Sequence, residues 1–126
     1  TGRDYFNLEW AHAHIGSSLA PQDVQATFAE LTAQAVAAAI EAECAGTQEV
    51  LLCGGGVANE DLVGRISRLL HGRMVASTAR LSLNPDHVEA LAFAWLAREA
   101  LAGRTGNLPE VTGASGPRVL GAIYPA

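Results

Sequence analysis

Apolar residues recur at helical spacing through PQDVQATFAELTAQAVAAAIEAE. Val24, Phe28, Leu31, Ala35 and Ile40 stand three to five residues apart, with Val36 on the adjoining flank. Pro21 suits a first helical position, and Asp23 complements the positive end of the helix dipole. The pattern predicts a helix over 21–44. Upstream, Tyr5, Phe6, Leu8 and Trp10 cluster, and Asn7 is placed to cap a short helix over 8–14 that ends near Gly16. Downstream, EVLLC (49–53) is a short apolar run between turn signals and predicts a buried strand. NEDLVGRISRLLHG predicts a helix over 60–71, with Leu62, Val63, Ile66, Leu69 and Leu70 on one stripe and Asn59 as its N-cap. RMVAS (73–77) predicts a second strand. Asn84-Pro85-Asp86 opens a last helix running to residue 102, apolar on all sides in its middle and therefore expected to be buried on more than one face. Arg118 to Tyr124, within a Gly- and Pro-rich tail, predicts a further strand. Strands alternating with helices indicate an α/β layer structure, and a right-handed crossover places the strands 49–53 and 73–77 in parallel.

Between the first strand and the helix at 60 the chain reads CGGGVANEDL. Consecutive glycines lose more backbone freedom on folding than any other residues would, so this stretch needs a reason. A dinucleotide fingerprint would put its third glycine where Asn59 stands and an acid near 74–79, where the chain reads MVASTA. A phosphate-binding P-loop needs a lysine, and the chain has none: all eight basic residues are Arg. Two readings stay open on the residues alone. One is a tight strand-to-helix turn. The other is a loop where a nucleoside lies against bare backbone beside free N–H groups at a helix start.

Composition narrows the classes. The 126 residues suffice for about one domain, and 49% of them are hydrophobic, enough for a packed core. A net charge of −5 without a basic patch argues against nucleic acid and against anionic membranes as partners. The longest fully apolar run, Ala90 to Ala97, is too short to span a bilayer. Cys44 and Cys53 lack metal-type spacing and are expected to be buried thiols in a reducing compartment. The expected location is the cytoplasm. The chain opens on Thr1-Gly2-Arg3, which reads as the interior of a longer chain.

EVLLCGGGVANEDLVGRI resembles the adenosine motif of the sugar kinase, Hsp70 and actin superfamily, in which a glycine pair, a small residue and Asn receive the nucleoside. TGRDYFNLEW, PQDVQATFAELTAQAV, NPDHVEALAFAWLA and GNLPEVTGASGPRVLGAIYPA together resemble the carboxyl-terminal part of bacterial anhydro-N-acetylmuramic acid kinases, over essentially the whole chain. The resemblance implies a single partial domain over 1–126: the second, nucleotide-binding lobe of an actin-like ATPase (ribonuclease H-like) fold, a short mixed sheet flanked by helices. It implies ATP with Mg²⁺, and 1,6-anhydro-N-acetylmuramic acid as the sugar converted with water to the 6-phosphate during peptidoglycan recycling. The family's catalytic Asp and its Gly-Pro-Gly-Asn segment precede TGRDYFNL, so this chain is expected to lack them and to be inactive alone.

Carried over residue by residue, Gly54, Gly55, Gly56 and Asn59 would line the adenine and ribose. Glu89 is the catalytic or sugar-contacting candidate. On the residues alone it is an acid favoured by the helix dipole, and the eight apolar residues after it place it half-buried at a cleft edge. His12, His14 and His87 are expected at the surface, Arg3 and Asp4 are candidates to pair, and Thr112 is a weaker cleft candidate. Phe93 and Leu96 are expected in the core. The alternatives are a kinase of the same superfamily acting on another sugar, and a lobe serving only as a binding or interaction module. An apolar helix 85–102 whose packing partners lie outside the chain favours self-association, so a homodimer is among the expected assemblies.

Overall fold

The computed structural model describes Gly2, residues 4–16 and residues 18–124. Its helices and strands run α1 Leu8–His14, α2 Pro21–Glu43, β1 Glu49–Leu52, α3 Glu60–Leu69, β2 Met74–Ser77, α4 Val88–Leu101 and α5 Pro109–Thr112, with 3₁₀ turns at Gly55–Ala58, Thr78–Leu81 and Pro85–His87. The class is α/β, and β1 and β2 pair as a small parallel sheet. The chain divides into two compact units: residues 1–50 with 56–76, and residues 51–55 with 77–126.

In the first unit, α1 starts where Asn7 Oδ1 accepts the Trp10 N–H at 2.9 Å. Trp10 then gathers Phe6, His14 and Phe28, with ring centroids 4.9, 4.5 and 6.0 Å away. α2 presents an alanine face. Ala33 and Ala37 are buried against Ile66 and Leu70, and Val36, Ile40, Val50, Leu62, Leu69 and Val75 pack around them. Small side chains on α2 let the two helices approach closely, so the large residues of α3 fill the space between them. Leu70, 1% exposed, contributes about 1.5–3 kcal/mol by its burial.

The stripe expected on α2 is partly corrected. Leu31 is 48% exposed and Ala35 is exposed. The contact instead follows Ala33, Val36, Ala37 and Ile40, the i, i+3, i+4, i+7 row. The large residues of the first half of α2 turn toward Trp10. Alanine carries so little hydrophobic contrast that periodicity alone could not choose between the two rows. Arginines secure the frame. Arg65 reaches Glu30 on α2 and Asp61 on its own helix, both at 2.8 Å. Arg73 forks onto Glu41 and donates to the carbonyls of Ala45 and Thr47, which fixes the link from α2 to β1. These hydrogen bonds hold the carboxyls of Glu30 and Glu41 below their usual range.

In the second unit, Ser77 Oγ accepts the Ala79 N–H, and the turn it opens closes at Ser82, a non-glycine residue at φ 60°. Asn84 Oδ1 accepts the Asp86 N–H at 3.0 Å, so the helix signal at Asn84-Pro85-Asp86 is met, first as a 3₁₀ turn and then as α4. The strand expected over Arg118–Tyr124 is absent. Gly121 sits at φ 106°, and the backbone around Arg118 is occupied by residues 106 and 107. There the Gly106 N–H reaches the Arg118 carbonyl, and Asn107 Oδ1 accepts the Arg118 N–H. The approach at Gly106 is close: a Cβ there would lie 2.8 Å from Leu96 Cδ2, so a larger residue would require the Leu96 side chain to shift.

Two further expectations are corrected. α4 is not buried on several faces: Leu91, Trp95 and Leu101 are exposed, as is Phe93 at 63%, and Leu96 is only half-buried. The residues that contact α4 near Gly106 cover one side of it. Cys44 and Cys53 are free and exposed, because one caps the end of α2 and the other follows the last paired residue of β1.

The alanine face of α2 gives a paired test. Ala37→Leu overpacks the helix contact and is expected to destabilise the chain by about 1–3 kcal/mol, whereas Ala35→Leu stays within about 0.5 kcal/mol. Urea denaturation of both variants reads the difference, and equal effects would contradict the assigned face.

Candidate functional site

β1 delivers the chain into the glycine run. Gly54 turns it at φ 76°, and the Gly54 N–H donates to the Pro85 carbonyl at 2.9 Å. That amide is therefore engaged within the protein rather than free. No described atom lies within 4 Å of a Cβ built on Gly54, so its backbone conformation, not crowding, requires glycine.

Gly55 and Gly56 differ from it. Both lie in the 3₁₀ turn Gly55–Ala58, and neither has positive φ. A Cβ on Gly55 would meet nothing within 4 Å, and one on Gly56 would meet only Leu62 Cδ2 at 4.0 Å. Both residues are exposed. Neither local conformation nor packing among the described residues accounts for glycine at these two positions.

Asn59 is the N-cap of α3, and its Oδ1 accepts the Leu62 N–H at 3.1 Å. The cap explains an Asn here by itself and uses the oxygen only, leaving the carboxamide exposed. Glu89 lies in the first turn of α4 and is exposed, not half-buried as expected. The apolar residues after it are themselves exposed, so they do not desolvate it.

The lesser candidates fall where local chemistry puts them. His12 and His87 are exposed, and so is His14, whose Nδ1 lies 2.7 Å from the Trp10 carbonyl oxygen. Thr112 Oγ1 donates to the Leu108 carbonyl within α5. Arg3 lies outside the described residues, so its pairing with Asp4 does too. Among the described residues no group of three or more His, Cys, Asp or Glu side chains is placed to hold a metal ion. No helix among them is long and apolar enough to cross a membrane.

Sequence reasoning missed two features. One is a recess of about 250 Å³ lined by Trp10, Ile15, Leu19, Val24 and Phe28 among others, beside a Trp10 Nε1 that has no hydrogen-bond partner among the described residues. The cluster of aromatic residues before Pro21 is its only signal. The other is Glu99 on α4, 6% exposed. Arg104 donates to both of its oxygens, and Arg98 adds a third bond at 3.1 Å. The Arg104 hydrogen bond above all, with the Arg98 bond assisting against burial, holds the Glu99 carboxyl down at about 2. Glu99 ties the end of α4 to Arg104 in the turn that follows it.

β1, the glycine turn and α3 form a strand–turn–helix unit with bare backbone at the turn. The family model described as anhydro-N-acetylmuramic acid kinase matches residues 1–126, and the chain belongs to this family. It is 56% identical over 127 residues to the anhydro-N-acetylmuramic acid kinase of Xanthomonas axonopodis pv. citri (strain 306), covering 100% of this chain and 34% of that relative. Against the anhydro-N-acetylmuramic acid kinase of Pseudomonas syringae pv. tomato (strain ATCC BAA-871 / DC3000) it is 52% identical over 128 residues, covering 100% of this chain and 35% of the relative. The chain thus spans about a third of the length of the curated relatives it matches.

The Glu99 cluster gives an acid-stability test. The folded carboxyl titrates near 2 against an ordinary value of 4.5, so its contribution is fully present above pH 4.5 and is lost as pH falls from 4.5 toward 2. Between those limits the chain is expected to lose stability more steeply than Glu99→Gln does. Denaturant melts across that range, with the Glu99 carboxyl followed by NMR, check this, and parallel pH profiles would contradict it.

Proposed function

We propose that this chain is the carboxyl-terminal, nucleotide-binding lobe of a two-lobe, actin-like sugar kinase that works in the cytoplasm. With ATP and Mg²⁺ it converts 1,6-anhydro-N-acetylmuramic acid to N-acetylmuramic acid 6-phosphate. Water adds at C1, the bond from C1 to O6 breaks, and O6 takes the γ-phosphoryl group as ADP leaves. The carrying observation is Gly55–Gly56: exposed backbone without positive φ, with nothing closer than 4.0 Å to where a Cβ would stand. Among the described residues glycine there has no role in packing, and the approach of a flat nucleoside to bare backbone supplies one.

In this reading Gly54 makes the turn, and Gly55 and Gly56 face the adenine and ribose. The Asn59 carboxamide donates to the nucleoside while its oxygen caps α3. Glu89, exposed at the start of α4, contacts the sugar and assists at the anhydro bridge. In this reading Glu89 assists, and the main base that takes the proton from water is none of these candidate residues.

The test uses the full-length protein that contains this segment. Gly55→Ala is expected to raise the KM for ATP about tenfold, the worth of one lost close contact at roughly 1.4 kcal/mol, with the melting temperature unchanged. Glu89→Gln is expected to lower kcat/KM for the anhydro sugar at least tenfold with the KM for ATP unaltered. Wild-type kinetics in both variants would reject the reading.

A further inference from the structure

Gly54, Pro85 and Glu89 all belong to the second unit. The bond from the Gly54 N–H to the Pro85 carbonyl joins the end of β1 to the start of the helical segment that carries Glu89. Both ends of that bond are held. Gly54 is fixed by its turn at φ 76°, which side chains with a branched Cβ do not tolerate. Pro85 is fixed by its ring and by the Asn84 side chain, which accepts the Asp86 N–H. From Pro85 the 3₁₀ turn runs directly into α4, so Glu89 stands one turn further on, roughly 6–8 Å along the axis.

We propose that Gly54 is a positioning residue for Glu89. Through the Pro85 carbonyl it sets the start of α4, and hence the Glu89 carboxylate, relative to the turn that leads into Gly55. Seating the nucleoside against Gly55 and presenting Glu89 to the sugar are thereby coupled. The inference rests on the proposed role of Glu89. It goes beyond that role by giving Gly54 a task separate from touching the nucleoside.

A double-mutant cycle in the full-length protein tests it. Gly54→Val removes the left-handed turn, and the space in front of Gly54 is open, so the change reads conformation and not a clash. It is expected to lower kcat at least tenfold when Glu89 is present and less than twofold in the Glu89→Gln background. Gly54→Asn, which tolerates positive φ, is expected to keep at least threefold more kcat than Gly54→Val. Gly54→Ala, milder because it lacks the β-branch, is measured by the same criterion and keeps the cycle valid where Val prevents folding. Equal fold-losses in both backgrounds would overturn the positioning role while leaving the role of Glu89 standing. A Glu89→Gln enzyme with wild-type kcat/KM would instead overturn the Glu89 reading, and this inference with it.

Discussion

The turn at Gly54 sets the course of the chain as it leaves β1. It is the one position in CGGGVANEDL where the protein's own geometry demands glycine, because the backbone adopts φ 76°. Its N–H is spent on the Pro85 carbonyl. Once the turn is made, Gly55 and Gly56 continue as a right-handed 3₁₀ turn that any residue could adopt. Three glycines that look alike in sequence therefore divide into one that the fold needs and two that it does not. That division is the physical basis for assigning the latter two to a ligand.

Much of the fold is legible in the sequence because its signals are local. Asn7, Asn59 and Asn84 each carry the signature of a helix start, and each accepts a backbone N–H from the turn it opens. Pro21 and the strands flanking α3 fall within a residue or two of expectation. Signals that depend on distant partners are not legible. The face of α2 that packs on α3 is marked by alanines, which carry little contrast. The apolar Arg118–Tyr124 run reads as a strand, yet the Arg118 N–H and carbonyl are taken up by Asn107 and Gly106. α5 has a usable signature, Pro109 at its start and Gly113 at φ 69° after its end, hidden within a stretch whose composition reads as tail.

The candidate residues are legible as chemistry but not as environment. Apolar residues after Glu89 suggest half-burial, and Glu89 is exposed because those residues are exposed too. The carboxylate of α4 that is buried is Glu99, and its partner Arg104 comes within the chain's next turn. Reading acids by the apolar run beside them finds the wrong one. Reading them by the nearest arginine finds the one that holds the helix end to the turn after it.

If Gly55 and Gly56 are bare so that a nucleoside can rest on them, the contact is directly observable. The decisive measurement is a crystal structure of the full-length protein with a non-hydrolysable ATP analogue. Adenine or ribose atoms are expected in van der Waals contact with the Cα atoms of Gly55 and Gly56, at about 3.5–4 Å. An analogue bound elsewhere, with both glycines facing solvent, would contradict the assignment.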